Sequence, residues 1–101
     1  MLSFENFQQS ISDNKPPEKT SVYLLALWYD AKGNWQTAHE IIQDINDKNA
    51  AWIHAYLHRK EGDISNANYW YNKAKKNMPL FSLQEEWKYI VQYLLNEELT
   101  A

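Results

Sequence analysis

Residues 52–74 read WIHAYLHRKEGDISNANYWYNKA. The stretch contains no proline, breaks once at Gly62 and resumes at Asp63. Glycine suits the left-handed residue that follows a helix, and aspartate suits the N-cap of the next. The segment therefore reads as two helices joined by a tight turn. Residues 28–42, WYDAKGNWQTAHEII, read the same way around Gly33-Asn34. The chain's two glycines stand 29 residues apart. At that offset Ala26 matches Ala55, Asn34 matches Asp63, Ala38 matches Ala67 and Ile45 matches Ala74. Small residues recurring in register let paired helices approach closely, and the pattern is that of an αα-hairpin repeat.

Working outward, Phe4, Phe7 and Ile11 make a one-faced helix over Leu2–Ser12, with Ser3 as its cap. Pro16-Pro17 marks a linker. A second helix is expected from about Glu18 to Lys32, apolar over much of its circumference, and a third from Asn34 to about Ile45. Asn49 is placed as the cap of a fourth helix, which ends at Gly62. A fifth stops before Met78-Pro79. The box Ser82-Leu83-Gln84-Glu85 opens a sixth helix carrying Trp87, Ile90, Val91, Leu94 and Leu95. Strand-like alternation is absent, so the fold class is all-α. The expectation is a single domain over 1–101, with two hairpins at 21–79, helix one capping one end and a C-terminal helix at 82–98 capping the other.

Ala55, Gly62-Asp63, Ala67, Tyr71, Ala74 and Pro79 match positions that the tetratricopeptide repeat fills with the same residue types. Leu25, Ala26, Tyr29, Gly33-Asn34 and Ala38 match more loosely. Over residues 21–79 the chain thus resembles that family, with a period of 29 residues against the family's usual ~34. The resemblance implies a protein–protein interaction module. The string HAYLHRKEGDISNANYWY also resembles one in small bacterial proteins of unassigned function, which supplies no activity.

Three histidines remain once the scaffold is subtracted. His54 and His58 lie one helical turn apart, where the sister repeat has Leu25 and Tyr29. Hairpin geometry sets His39 at the height of His58. Trp28, Trp35, Glu61 and Asn66 belong to the same end, with Arg59 flanking. Tyr69, Trp70 and Tyr71 cannot share one face, because successive helical residues turn ~100°. Tyr71 goes inward with Trp70 beside it, and Tyr69 is the outward ring.

Three readings of the histidines compete, in this order: buried imidazoles hydrogen-bonded to neighbours, a cleft for a small ligand or peptide, and a metal site. The helical zincin pattern, with Glu after the first His, is absent. No metal is assigned, and no cofactor is expected. Phosphate loops, nucleotide fingerprints and Ser/His/Asp signatures are missing too, so no catalytic residue is named. Carboxylates such as Asp44, Asp47, Glu85 and Glu86 read as cap and end-turn charges.

Ten basic and thirteen acidic residues leave a net charge of −3. That balance excludes a general nucleic-acid or anionic-membrane binder. The lysines at 73, 75 and 76 read as a solvated helix end. The chain has no cysteine, which removes disulfides and thiolate sites and suits a reducing compartment. The start MLSFENFQQS lacks a signal peptide's basic region, and the longest uncharged apolar run, Val22–Tyr29, is too short to span a bilayer. A cytoplasmic location is expected, with a protein or peptide partner. A homodimer through the Trp87–Leu95 helix is a second possibility. Five Trp and seven Tyr serve a small core and a binding surface equally well.

Overall fold

The computed structural model describes residues 2–100, with side chains through residue 98. Among the described residues there are six helices and no strand: α1 (Phe4–Ser12), α2 (Val22–Ala31), α3 (Trp35–Ile42), α4 (Lys48–Lys60), α5 (Ile64–Lys73) and α6 (Leu83–Thr100). None of them is long and apolar enough to cross a membrane.

One capping device starts every helix. Ser3, Ser21, Asn34, Asp47, Asp63 and Ser82 each accept, through the side chain, the amide proton of the residue three positions on. Each such bond satisfies a donor that the first helical turn leaves orphaned. These caps correct two expected helix starts, and one expected helix end also changes. α2 begins at Val22, behind Ser21, because Lys19 turns left-handed with φ +57°. α4 begins one residue after Asp47, and Asn49 instead donates to Glu97 Oε1 at 2.8 Å. α3 stops at Ile42, although Ile45 still packs against the core.

The helix ends are equally regular. Gly33 and Gly62 have φ of +81° and +87°. After α2, Asn34 N donates to Tyr29 O and Gly33 N to Asp30 O. After α4, Asp63 N donates to His58 O and Gly62 N to Arg59 O. This is the Schellman pattern. α5 ends the same way without glycine: Lys75 sits at φ +62°, and Lys76 N reaches Tyr71 O. That is why α5 closes at Lys73, several residues before Met78-Pro79.

Short turns fold α2 onto α3 and α4 onto α5. α4 touches α2, α3, α5 and α6, and every residue from Ala50 to His58 is buried. A helix covered all round is the centre of a fold rather than a surface element. Ala38, Ala55 and Ala67 are fully buried, as close helix approach requires. α6 seals the assembly against α2 and α4 with Ile90, Val91, Leu94 and Leu95. Trp87 packs edge-on to Phe4 and tilted against Phe7, and its Nε1 donates to Leu27 O at 3.0 Å. The apolar face of the Trp87–Leu95 segment is therefore spent inside the chain, leaving Tyr89 and Tyr93 outward.

Candidate functional site

The α3–α4 contact brings the three histidines together. His39 comes from α3, and His54 and His58 from successive turns of α4. His39 Nε2 and His54 Nε2 are 3.0 Å apart. One ring nitrogen from each of His39, His54 and His58 lies within 4.8 Å of the others. His54 and His58 are buried, and His39 is half-buried.

Aromatic rings wall the cluster. Trp70 stacks on His54 with centroids 4.0 Å apart, and Trp35 stacks on His39 at 4.8 Å. Trp35 is itself pinned by its Nε1, which donates to Leu57 O at 2.8 Å. His58 stacks on the far side of His54 at 4.8 Å. Each imidazole is thus held by a neighbour that has its own anchor, the arrangement that fixes ring orientation.

Polar neighbours set the protons. His58 Nδ1 and Glu61 Oε1 are 2.6 Å apart. A carboxylate oxygen accepts, so the His58 Nδ1–H donates to Glu61. Asn66 Nδ2 lies 3.5 Å from His58 Nε2. Burial lowers the pKa of His54 to about 4, with further depression from the neighbouring His39 and His58. Burial also lowers that of His39, followed by the repulsion of His58. Both rings are therefore neutral at pH 7, and in their 3.0 Å contact one Nε2 donates and the other accepts.

Of the residues singled out from sequence, seven converge: Trp35, His39, His54, His58, Glu61, Asn66 and Trp70. Tyr69 stands at the edge, exposed and edge-on to Trp70. Two lie elsewhere. Trp28 is buried towards α1, its Nε1 donating to Ser10 Oγ at 3.1 Å. Arg59 leaves the cluster to donate to Glu86 Oε1 at 2.8 Å and Phe81 O at 2.6 Å.

Two buried carboxylates went unnoticed in the sequence. Glu86 is 1% exposed and also accepts from the Tyr71 hydroxyl at 2.6 Å. Its place in the first turn of α6 reads as an end-turn charge, yet it precedes Ile90 by one helical turn and shares its inward face. Asp30 is 2% exposed and accepts from Tyr56 at 2.8 Å and from Lys60 Nζ at 2.8 Å. It lines a cavity of about 800 Å³ together with Phe4, Ile11, Tyr56, Lys60 and Trp87. Burial and the adjacent carboxylates raise the pKa of Tyr56 and Tyr71, so both hydroxyls remain donors. The lysines at the end of α5 are exposed, as expected, and Lys76 sits 4.1 Å over the Trp52 ring.

Compared with protein-family models, curated proteins and solved structures, the chain matches none.

Proposed function

We propose that this chain is a metal-binding helical domain in which His39, His54 and His58 together hold one ion of the zinc class. The observation that supports this reading most is the approach of three imidazole nitrogens to within 4.8 Å. Zn–N bonds of about 2.0–2.1 Å at tetrahedral angles put ligand nitrogens roughly 3.3 Å apart. His39 and His54 stand at 3.0 Å and the third nitrogen within 4.8 Å, so binding would part the first two slightly and draw the third ring in. Imidazole suits zinc, copper, nickel and iron, and the set contains no thiolate to favour a softer metal. Glu61 on His58 Nδ1 is the carboxylate–histidine pairing that orients metal-ligating rings. Neutral rings are the form that coordinates.

Such an ion would tie α3 to α4, and so join the α2–α3 pair to the α4–α5 pair. The sequence alone ranked a metal behind packed imidazoles and a ligand cleft. The convergence of the three nitrogens, rather than the spacing of two, moves it ahead.

The test is Zn²⁺ titration of the untagged, metal-free chain. One equivalent should bind, and at a hundredfold excess over Kd the melting temperature should rise by about 10 °C or more. His39→Ala, His54→Ala and His58→Ala should each abolish the rise. Substoichiometric uptake, or full uptake by His39→Ala, would refute the reading.

A second role is favoured by a separate surface. Phe81, Tyr89 and Tyr93 are exposed and gather round Trp52. Aromatic anchors of this kind suit a protein-docking face. The two turn-linked helix pairs are in keeping with a tetratricopeptide-like interaction module, and this face would be its contact surface. Self-association is the simplest form, and sedimentation of wild type against a Tyr89→Ala/Tyr93→Ala variant reads it directly. A strict monomer at high concentration removes that form.

A further inference from the structure

The metal reading leaves one coordination position unfilled, and the residues around it define what would occupy it. Three protein nitrogens supply three corners of a tetrahedron. Two carboxylates stand near, since His58, Glu61 and Asp63 form a second group within 4.8 Å. Both already have work. Glu61 accepts from His58 Nδ1 at 2.6 Å, and Asp63 Oδ1 caps α5 by accepting from Asn66 N at 3.3 Å. Recruiting either to the ion would release a ligand's orientation or a helix N-terminus.

Asn66 is placed differently. Its Nδ2 lies 3.5 Å from His58 Nε2, the ring nitrogen that Glu61 does not engage, and 3.4 Å from Asp63 Oδ2. The Asp63 carboxylate decides the orientation of the amide: reversed, a carbonyl oxygen would oppose a carboxylate oxygen. The group turned towards the ion's neighbourhood is therefore an N–H donor. A donor cannot ligate a cation. It can hydrogen-bond an acceptor that sits on one.

Charge points the same way. Three neutral imidazoles leave the ion's two positive charges uncompensated in a largely buried setting, and Glu61 supplies a single negative charge one ring away. An anion in the fourth position offsets that charge where solvation is poor. Around the cluster His39 and Asn66 are half-buried, whereas His54 and His58 are buried. We infer that the fourth position accepts a small carboxylate anion from solution, coordinated by one oxygen to the ion and hydrogen-bonded by Asn66 Nδ2. This rests on the metal reading above, and it makes Asn66 a specificity residue rather than a ligand.

Cobalt(II) tests it, because its visible absorption reports the coordination shell. The full chain is loaded with Co²⁺ and titrated with acetate. The bands should shift saturably. Asn66→Ala should weaken acetate about tenfold, the loss of one charge-assisted hydrogen bond, while the Co²⁺ bands still form. Asn66→Asp should place its own carboxylate on the ion and abolish the acetate response. Cobalt bands that acetate leaves unmoved, or an unchanged response in Asn66→Ala, overturn the inference and leave the metal site standing. Absence of cobalt bands overturns the metal site itself.

Discussion

Arg59 and Glu86, 27 residues apart, form an ion pair at 2.8 Å in which the glutamate side chain is 1% exposed. Tyr71 adds a hydroxyl donor at 2.6 Å, and a second guanidinium nitrogen ties down Phe81 O. The pair fastens α6 to α4 and α5 at the end where the chain leaves α5 and turns back. A buried charge is tolerable only with partners, and Glu86 has three short polar contacts from two residues.

Removing one partner should therefore cost far more than a surface pair would. Arg59→Met is expected to destabilise by about 3 kcal/mol or more, because it leaves the carboxylate buried and uncompensated. Arg59→Met combined with Glu86→Leu should recover much of that loss. Urea unfolding of the two variants measures it, and equal stability of Arg59→Met and wild type would remove the pair from the account.

Asp30 predicts an order rather than a single value. Asp30→Ala orphans the buried Tyr56 hydroxyl as well as releasing Lys60. Tyr56→Phe removes one hydrogen bond to a charge, about 1.5–3 kcal/mol. Lys60→Met should cost least, since the lysine side chain is 39% exposed and water can replace its partner in part. The expected ranking by denaturation is Asp30→Ala, then Tyr56→Phe, then Lys60→Met. A Lys60→Met loss exceeding that of Asp30→Ala would contradict it.

The left-handed turns give a paired test with opposite signs. A Cβ on Gly62 meets nothing within 4 Å, so Gly62→Ala costs only backbone strain at φ +87°, about 1 kcal/mol. Lys75 occupies the equivalent position after α5 with φ +62°. Lys75→Gly relieves that strain and should stabilise, by up to about 1 kcal/mol. Thermal unfolding of both variants decides; a shared sign would mean that one of the turns is not what holds its helix end.

In the metal-free chain, acid should weaken the histidine cluster before it titrates most carboxylates. The folded-state pKa of His54 is about 4, against about 6.5 unfolded. The unfolded chain then binds the extra proton first, and stability rises with pH across that interval. The contribution is intact above about pH 6.5 and is lost as pH falls towards 4, at most about 3 kcal/mol. His54→Leu, the residue type of the sister repeat, should flatten the profile in this window. An unchanged slope would show that His54 titrates alike in the folded and unfolded chains.

The all-α class and the two glycine turns are legible because their signals are local. A glycine that must turn left-handed, a cap acceptor next to it and small residues at fixed offsets depend on chain neighbours alone. The third histidine could be placed at the right height from helix lengths, and Tyr69 and Tyr71 could be sorted by rotation about one helix. Helix starts were less legible where two acceptors competed: Asp47 and Asn49 both suit an N-cap, and the packing of α4 against α6 gave Asn49 to Glu97 instead. Arg59 and Trp28 were misplaced for a related reason. The turn of the helix that each follows is readable, but the helix lying opposite is not.

By itself, then, the sequence determined the all-α class, the two glycine turns and the pairing of α2 with α3 and α4 with α5, since each is decided within about one helix length. Tertiary structure alone decided that α4 lies at the centre, that Glu86 and Asp30 are buried with partners, and that three imidazoles meet, two pairs edge-on and one stacked. Those are contacts between elements distant along the chain. Their geometry follows from how several apolar faces close on one another, and no short stretch of residues encodes it.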